Sequence, residues 1–376
     1  MSESQGAGRS LAIDAFRALT VLLMITVNEW HGVAGLPAWM KHYPADADAM
    51  SFVDMVFPAF LFIVGMSIPL ALRQRMAAGE SQGQVLRHVL LRALGLVVIG
   101  VFMVNAEDGF LASAMPMPIA AWALLSYLAA FLVWGSLRGG PALAGPWRAA
   151  GVLLLLALAW AWRGGADGSA GMRPQWWGIL GLIGWAYLLG CLAFMLTRGR
   201  RWGLLLALAL GLLYYARVDR SGHVVHGLIV VCGSLCTLIF FDAGTRRFAW
   251  ALAFASGLAL LATLLRPAYG ISKIHATPSW ALYSAAACVL VFALLHWQID
   301  RRGRRAWTAW LRSVAAHPLL AYLIPFVVGA AMELLHWQLP APLRSVWPGV
   351  LWGPAYALLV LLAVRALAAR GLRLRI

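Results

Sequence analysis

Apolar residues run through this chain in long, unbroken stretches separated by short polar connections, and those stretches set the fold class. Twelve runs stand out, at approximately 11–30, 52–72, 85–104, 118–136, 149–163, 176–197, 202–216, 224–242, 247–265, 278–298, 315–337 and 347–368. A helix that crosses a bilayer needs roughly 20 mostly apolar residues. Inside lipid, every backbone polar group must also find its partner within the segment, which a helix provides. A membrane β-barrel would instead need segments of about ten residues that alternate apolar and polar. Val85–Val104 and Trp202–Leu213 do not alternate. The pattern predicts an all-α polytopic membrane protein, a helical bundle of about 10–12 transmembrane helices. The fifth and seventh runs are short and read either as full crossings or as partly re-entrant segments. Pro69, Pro267, Pro325 and Pro354 fall near run ends or inside them, where a missing N–H kinks a helix.

Composition sharpens this reading. Hydrophobic residues make up 62% of the 376 and charged residues 12%, whereas a soluble domain carries about twice that charged fraction. No stretch is long or polar enough for a separate soluble domain. The expected organisation is a polar cytoplasmic tail at 1–10, a single transmembrane domain at 11–370 and a cytoplasmic tail at 371–376. The first run lacks a small-residue cleavage site and reads as a retained anchor.

The net charge of +16 suggests nucleic acid until the charges are placed. They lie between the apolar runs, on alternate connections, with no nucleic-acid motif among them. With both termini in the cytoplasm, most of the basic residues fall inside, among them Arg73 to Arg92, Arg138, Arg148, Arg198 to Arg201, Arg246, Arg247 and Arg301 to Arg312. That bias orients a multi-pass protein of a bacterial inner membrane. Cys191, Cys232, Cys236 and Cys288 sit inside apolar runs without metal-finger spacing, so packing explains them and no metal is expected.

Six of the nine histidines (His31, His42, His223, His226, His275 and His336) then fall on or near the outer side. Imidazole is the side chain best suited to proton transfer near neutral pH, so chemistry is sought there. The connection after the first run is the densest candidate: Asn28, Glu29, His31, Lys41 and His42, then Asp46, Asp48 and Asp54. Asp54 opens the apolar run Met55–Gly65 at the bilayer edge, where an ionisable group is costly and therefore a functional candidate. Asp46 and Asp48 read more simply as a solvated loop. His223 and His226 beside Asp219 have metal-compatible spacing but no evident third ligand.

Asp14-Ala15-Phe16-Arg17, Val27-Asn28, His42 and the stretch Asp54-Met55-Val56-Phe57-Pro58-Ala59-Phe60-Leu61-Phe62-Ile63-Val64-Gly65 resemble the opening of the heparan-α-glucosaminide N-acetyltransferase family. The likeness continues through Arg92 and Gly100 to Asn105, then returns near Lys273 with Pro278-Ser279-Trp280 and at His317–Tyr322. Ala18 stands where the family usually has glycine, Tyr43–Asp48 replaces a Trp-x-Gly pattern, and the animal enzyme's luminal domain has no counterpart. What the resemblance implies is a membrane-embedded acyltransferase. It would move an acetyl group from cytoplasmic acetyl-CoA to an amine or hydroxyl of a periplasmic or cell-surface sugar. The family's active histidine, in the loop before the aspartate-FP motif, points to His42.

The residues fit that chemistry. His42 is positioned as a base or acyl carrier, with Asp54 or Glu29 orienting its ring and Asn28 facing a developing oxyanion. Arg17 and Arg92 are candidates for the phosphates of acetyl-CoA; for Arg17 the competing reading is an ion pair with Asp14, for Arg92 snorkelling to the interface. Lys41, Glu29, His31, Lys273 and Glu333 are candidate substrate contacts, with His275 and His336 as neighbours. The expected partners are a glycan acceptor and the lipid bilayer, and no nucleic acid; a homodimer is left open. Two other readings stand beside the enzyme: a transporter or flippase for a glycan or lipid-linked substrate, and a non-catalytic membrane scaffold.

Overall fold

The computed structural model describes residues 10–136 and 145–374. The expected tail at 1–10, apart from Ser10, and Arg138 lie outside the described residues. The helices, in chain order, are α1 (Leu11–Trp30), α2 (Phe52–Ala77), α3 (Gln82–Glu107), α4 (Ile119–Trp134), α5 (Gly145–Ala161), α6 (Ile179–Leu196) and α7 (Arg201–Arg217). They continue with α8 (Gly222–Asp242), α9 (Arg247–Tyr269), α10 (Pro278–His296), α11 (Arg312–Ala316), α12 (Pro318–Leu334) and α13 (Val346–Ala369). All twelve apolar runs are helices. The eleventh differs in detail: Pro318 has no N–H to continue a helix, so the short α11 stops at Ala316 and α12 begins anew after its cap residue His317. Pro58 and Pro69 lie within α2, Pro267 within α9, Pro325 within α12 and Pro354 within α13.

Eight helices among the described residues (α1, α2, α3, α6, α8, α9, α10 and α13) are long and apolar enough to cross a membrane, and α4, α5 and α12 are shorter apolar helices. Large apolar side chains also stand on the outside, such as Trp160 on α5, Leu264 on α9 and Leu351 on α13. Such surfaces are unfavourable in water and cost nothing against lipid tails. The protein is an all-α, multi-pass membrane protein.

The helices group into two compact units. The first comprises the described part of Met1–Thr20 with Leu36–Ala93 and Trp185–Arg312. Its centre is the pair α2 and α8. Gly65 and Gly233 let them touch: a Cβ on Gly65 would lie 2.0 Å from the Val230 carbonyl oxygen, and one on Gly233 2.0 Å from that of Phe62. Ser234 and Thr237 then donate across the contact to the carbonyls of Gly65 and Met66 at 2.9 and 2.8 Å, the small-residue packing that membrane helices use.

Within this unit α2, α8 and α10 run parallel. At one end Phe57, His226 and Trp280 stack edge to face. At the other, Arg73 pairs with Asp242 and His296 packs on Phe240. The first end carries the candidate catalytic residues, and the second carries the arginine-rich connections. Cys191, Cys232, Cys236 and Cys288 are all free and buried.

The second unit takes Val21–Gly35, Leu94–Gly184 and Ser313–Ile376 so far as described. Phe102, Trp122, Leu155, Leu158 and Trp162 form its core. Gly100 meets Gly181 closely, where a Cβ would stand 2.4 Å from the Gly181 nitrogen. Asn105 holds the loop before α6 through Arg173, donating to its carbonyl at 2.8 Å and accepting from its N–H at 3.2 Å. A two-residue strand pair, Gly135–Ser136 with Arg373–Leu374, is the only sheet among the described residues.

Candidate active site

The site is built at the amino end of α2. Ser51 caps the helix, its hydroxyl accepting from the N–H of Val53 and of Asp54, while the Asp54 carboxylate reaches back to the Ser51 N–H. This reciprocal cap, made within four residues of the chain, fixes the Asp54 side chain locally. One carboxylate oxygen, Oδ2, accepts from Ser51 N at 3.0 Å, Tyr43 N at 3.3 Å and Ser51 Oγ at 3.4 Å. The other, Oδ1, lies 2.6 Å from His42 Nδ1. A carboxylate only accepts, so Nδ1 carries the proton and donates it. The lone pair of the neutral ring is therefore on Nε2. Asp54 is 2% exposed and His42 39%, which leaves a dry orienting carboxylate behind an accessible imidazole.

Lys273 completes the group. Its ammonium stands 3.2 Å from His42 Nε2 and 3.3 Å from Nδ1, and of these only Nε2 has a lone pair to accept. Burial pulls the Lys273 amine below its ordinary value, and the negative charge of Asp54 partly restores it.

Two loops carry these residues, and they are clamped together. Asp48 accepts from Arg266 Nε at 2.9 Å and from Ile271 N at 2.8 Å, Ser272 donates to the Ala45 carbonyl at 2.7 Å, and His275 faces Asp46 at 3.3 Å. Beneath them Trp280, fully buried, donates its indole N–H to the Asp54 carbonyl at 3.1 Å. Asp48 is thus a fastener between the loops, while Asp46 is solvated as expected, its side chain 97% exposed. Ser51, Arg266 and Ser272 carry no mark in the sequence that singles them out, except that Ser51-x-x-Asp54 is a recognisable cap pattern.

Other expected residues are placed differently. Arg17 is paired, donating to Asp14 at 3.1 Å and to Ser67 at 2.7 Å. Arg92 lies over the Tyr187 ring, 5.2 Å from its centre. Lys41 is exposed. Asn28, Glu29, His31 and Glu333 belong to the second unit. There Asn28 and His31 are exposed, and Glu29 accepts from the Trp352 indole at 2.8 Å. Glu333 and His336 line a cavity of about 410 Å³ together with Trp337, Gln338 and Arg344. His226 is buried between Phe57 and Trp280, and His223 lies against Trp185. No group of three metal-capable side chains occurs among the described residues.

An imidazole with its proton fixed on one nitrogen, a lone pair on the other and an ammonium beside it is equipped to remove a proton and to face a developing negative charge.

Heparan-alpha-glucosaminide N-acetyltransferase of Mus musculus is 35% identical over 99 residues, which is 26% of this chain and 14% of the relative. The Homo sapiens protein of the same name is 34% identical over 97 residues, with the same shares. The matched stretch thus spans 14% of the length of these curated relatives, a distant and partial relationship. A family model described as "Domain of unknown function (DUF5009)" matches residues 9–217. That match covers more than half of the chain, and the protein belongs to the DUF5009 family.

Proposed function

We propose that this protein is an acyltransferase of the bacterial inner membrane, moving an acetyl group from acetyl-CoA to an amine or hydroxyl of a sugar on the opposite side. The observation that carries the reading is the 2.6 Å bond between His42 Nδ1 and the buried Asp54, with Nε2 turned to Lys273. The partial likeness to an N-acetyltransferase supports it.

In the proposed step, His42 Nε2 takes the proton from the acceptor amine or hydroxyl as that atom attacks the thioester carbonyl. A positioned base of this kind is worth about 10²–10⁴ in rate. Negative charge collects on the carbonyl oxygen, and the Lys273 ammonium stabilises it. The carbon–sulfur bond then breaks, and the thiolate of coenzyme A leaves with the proton held on Nε2. Asp54 keeps the ring in the reactive tautomer throughout. Acetyl-CoA arrives from the arginine-rich side, taken as cytoplasmic together with both termini. Arg17 and Arg92 remain the proposed phosphate contacts, and the His42 loop is placed in the periplasm. Lys41, on the same loop as His42, is a proposed acceptor contact.

The test uses purified protein in proteoliposomes, given acetyl-CoA and a panel of amino sugars and neutral glycans, with acetylated product read by mass spectrometry. The wild type should consume acetyl-CoA and acetylate at least one sugar class, and His42→Ala should fall to background while keeping its melting temperature. Full activity in His42→Ala would overturn the site; no turnover by the wild type with any acceptor would overturn the reaction.

A further inference from the structure

We infer that the turn between α6 and α7 is a binding site for an anionic phospholipid headgroup, a role separate from the acyl transfer proposed above. A cavity of about 1040 Å³ opens there, lined by Arg198, Arg200 and Arg201 and flanked by Leu196, Trp202 and Leu206. Its volume lies at the upper end of ligand pockets, which run to about 1,000 Å³, and exceeds what one free phosphate fills.

The turn is built rather than loose. Arg198 and Gly199 both take left-handed backbone angles, φ 51 and 63°. The Gly199 N–H bonds the Phe194 carbonyl at 2.8 Å, the Arg200 N–H bonds that of Thr197 at 3.1 Å, and the Thr197 hydroxyl bonds that of Ala193 at 2.7 Å. A Cβ at Gly199 would stand 2.6 Å from the Phe194 ring, so the chain folds tightly over that side chain. Arg201 is steadied by a bond to the Leu238 carbonyl at 2.9 Å. Three guanidinium groups are thereby gathered at one helix junction, and no carboxylate pairs with any of them among the described residues.

The apolar flank decides what the anion belongs to. Leu196 and Trp202 are each 83% exposed and Leu206 58%, so an apolar flank stands directly beside the three arginines. A soluble anion has no use for that flank, whereas a phospholipid joins a phosphate to an acyl chain across the same boundary. Tryptophan at that depth is the usual interface anchor, and basic pockets between membrane helices on the arginine-rich side hold anionic headgroups.

Each basic residue near an anionic surface contributes about fivefold in binding, so removing two should weaken retention about 30-fold. The experiment exchanges the full-length protein into neutral detergent with equal phosphatidylglycerol and phosphatidylcholine, then counts bound lipid by native mass spectrometry. The wild type should retain phosphatidylglycerol over phosphatidylcholine, and Arg198→Gln/Arg200→Gln should lose that preference. Both side chains are exposed, and the melting temperature of the double variant checks its folding. Equal retention of the two lipids by the wild type overturns the proposal, as does an unchanged preference in the variant. Competition of the bound lipid by millimolar inorganic phosphate or coenzyme A overturns it in favour of a soluble anion. Should the double variant unfold, the wild-type preference and the competition still decide.

Discussion

Replacing Asp54 with asparagine should invert the tautomer of His42 while leaving its position unchanged. An asparagine side chain offers one acceptor and one donor where the carboxylate offers two acceptors. If the amide oxygen faces His42, the amide nitrogen points at the N–H groups of Ser51 and Tyr43, and donors oppose donors. If the oxygen faces Ser51 and Tyr43, the amide nitrogen donates to His42 Nδ1, and the ring must carry its proton on Nε2. Two backbone N–H groups cannot change role and one imidazole can, so the second arrangement wins. The lone pair then lies on the inner nitrogen, and Nε2 presents a proton to Lys273.

Four hydrogen bonds to Asp54 become neutral. Bonds to a charged group are worth about 1.5–3 kcal/mol and neutral ones about 1, but burying a charge costs several kcal/mol that the variant avoids. The net loss of stability should be about 1–2 kcal/mol, a few degrees in melting temperature. Acetyl transfer should fall by about 10²–10⁴. Histidine-selective 15N labelling, read by long-range proton–nitrogen correlation and assigned by difference against His42→Ala, reports the tautomer directly. Retention of the proton on Nδ1, or activity within about threefold of wild type, would refute the reasoning.

Further outcomes follow from the packing. Gly65→Ala puts a methyl 2.0 Å from the Val230 carbonyl oxygen and parts α2 from α8, which should cost about 3 kcal/mol between overpacking and two interhelical bonds. Gly257→Ala on α9 meets nothing within 4 Å and should instead stabilise by up to about 1 kcal/mol; equal melting temperatures for the two variants would contradict the close α2–α8 contact. Asp48→Ala removes a half-exposed ion pair with Arg266, worth about 0–1 kcal/mol. Its clearer sign should be faster hydrogen exchange at residues 41–50 and 270–277, and unchanged protection there would deny the clamp. Lys273 has a folded pKa below its usual 10.5 because of burial. Between that lowered value and 10.5 the unfolded chain binds more protons than the folded one, so stability contributed at Lys273 rises with pH through this window. The wild type should gain in melting temperature relative to Lys273→Gln as pH rises toward 10.5, and a constant difference would argue against a buried amine.

The sequence alone determined the fold class and the place of nearly every helix. A spanning helix must be long and apolar to satisfy its backbone in lipid, and that requirement is written residue by residue in the chain. The Ser51–Asp54 cap is equally local. Tertiary structure alone decided what His42 meets. Lys273 lies 231 residues further along the chain, and a loop between two apolar helices carries no sign of which other loop it will join. The helices here are apolar on most sides, so their sequences mark a span without marking the face turned to a neighbour. That face is chosen by close backbone contacts such as Gly65 with Val230, and by buried donors such as the Trp280 indole on the Asp54 carbonyl. The same reason explains Asp48, which reads as solvated until Arg266 and the Ile271 N–H are brought against it. It explains Arg17 too, whose second partner, Ser67, lies 50 residues away on another helix.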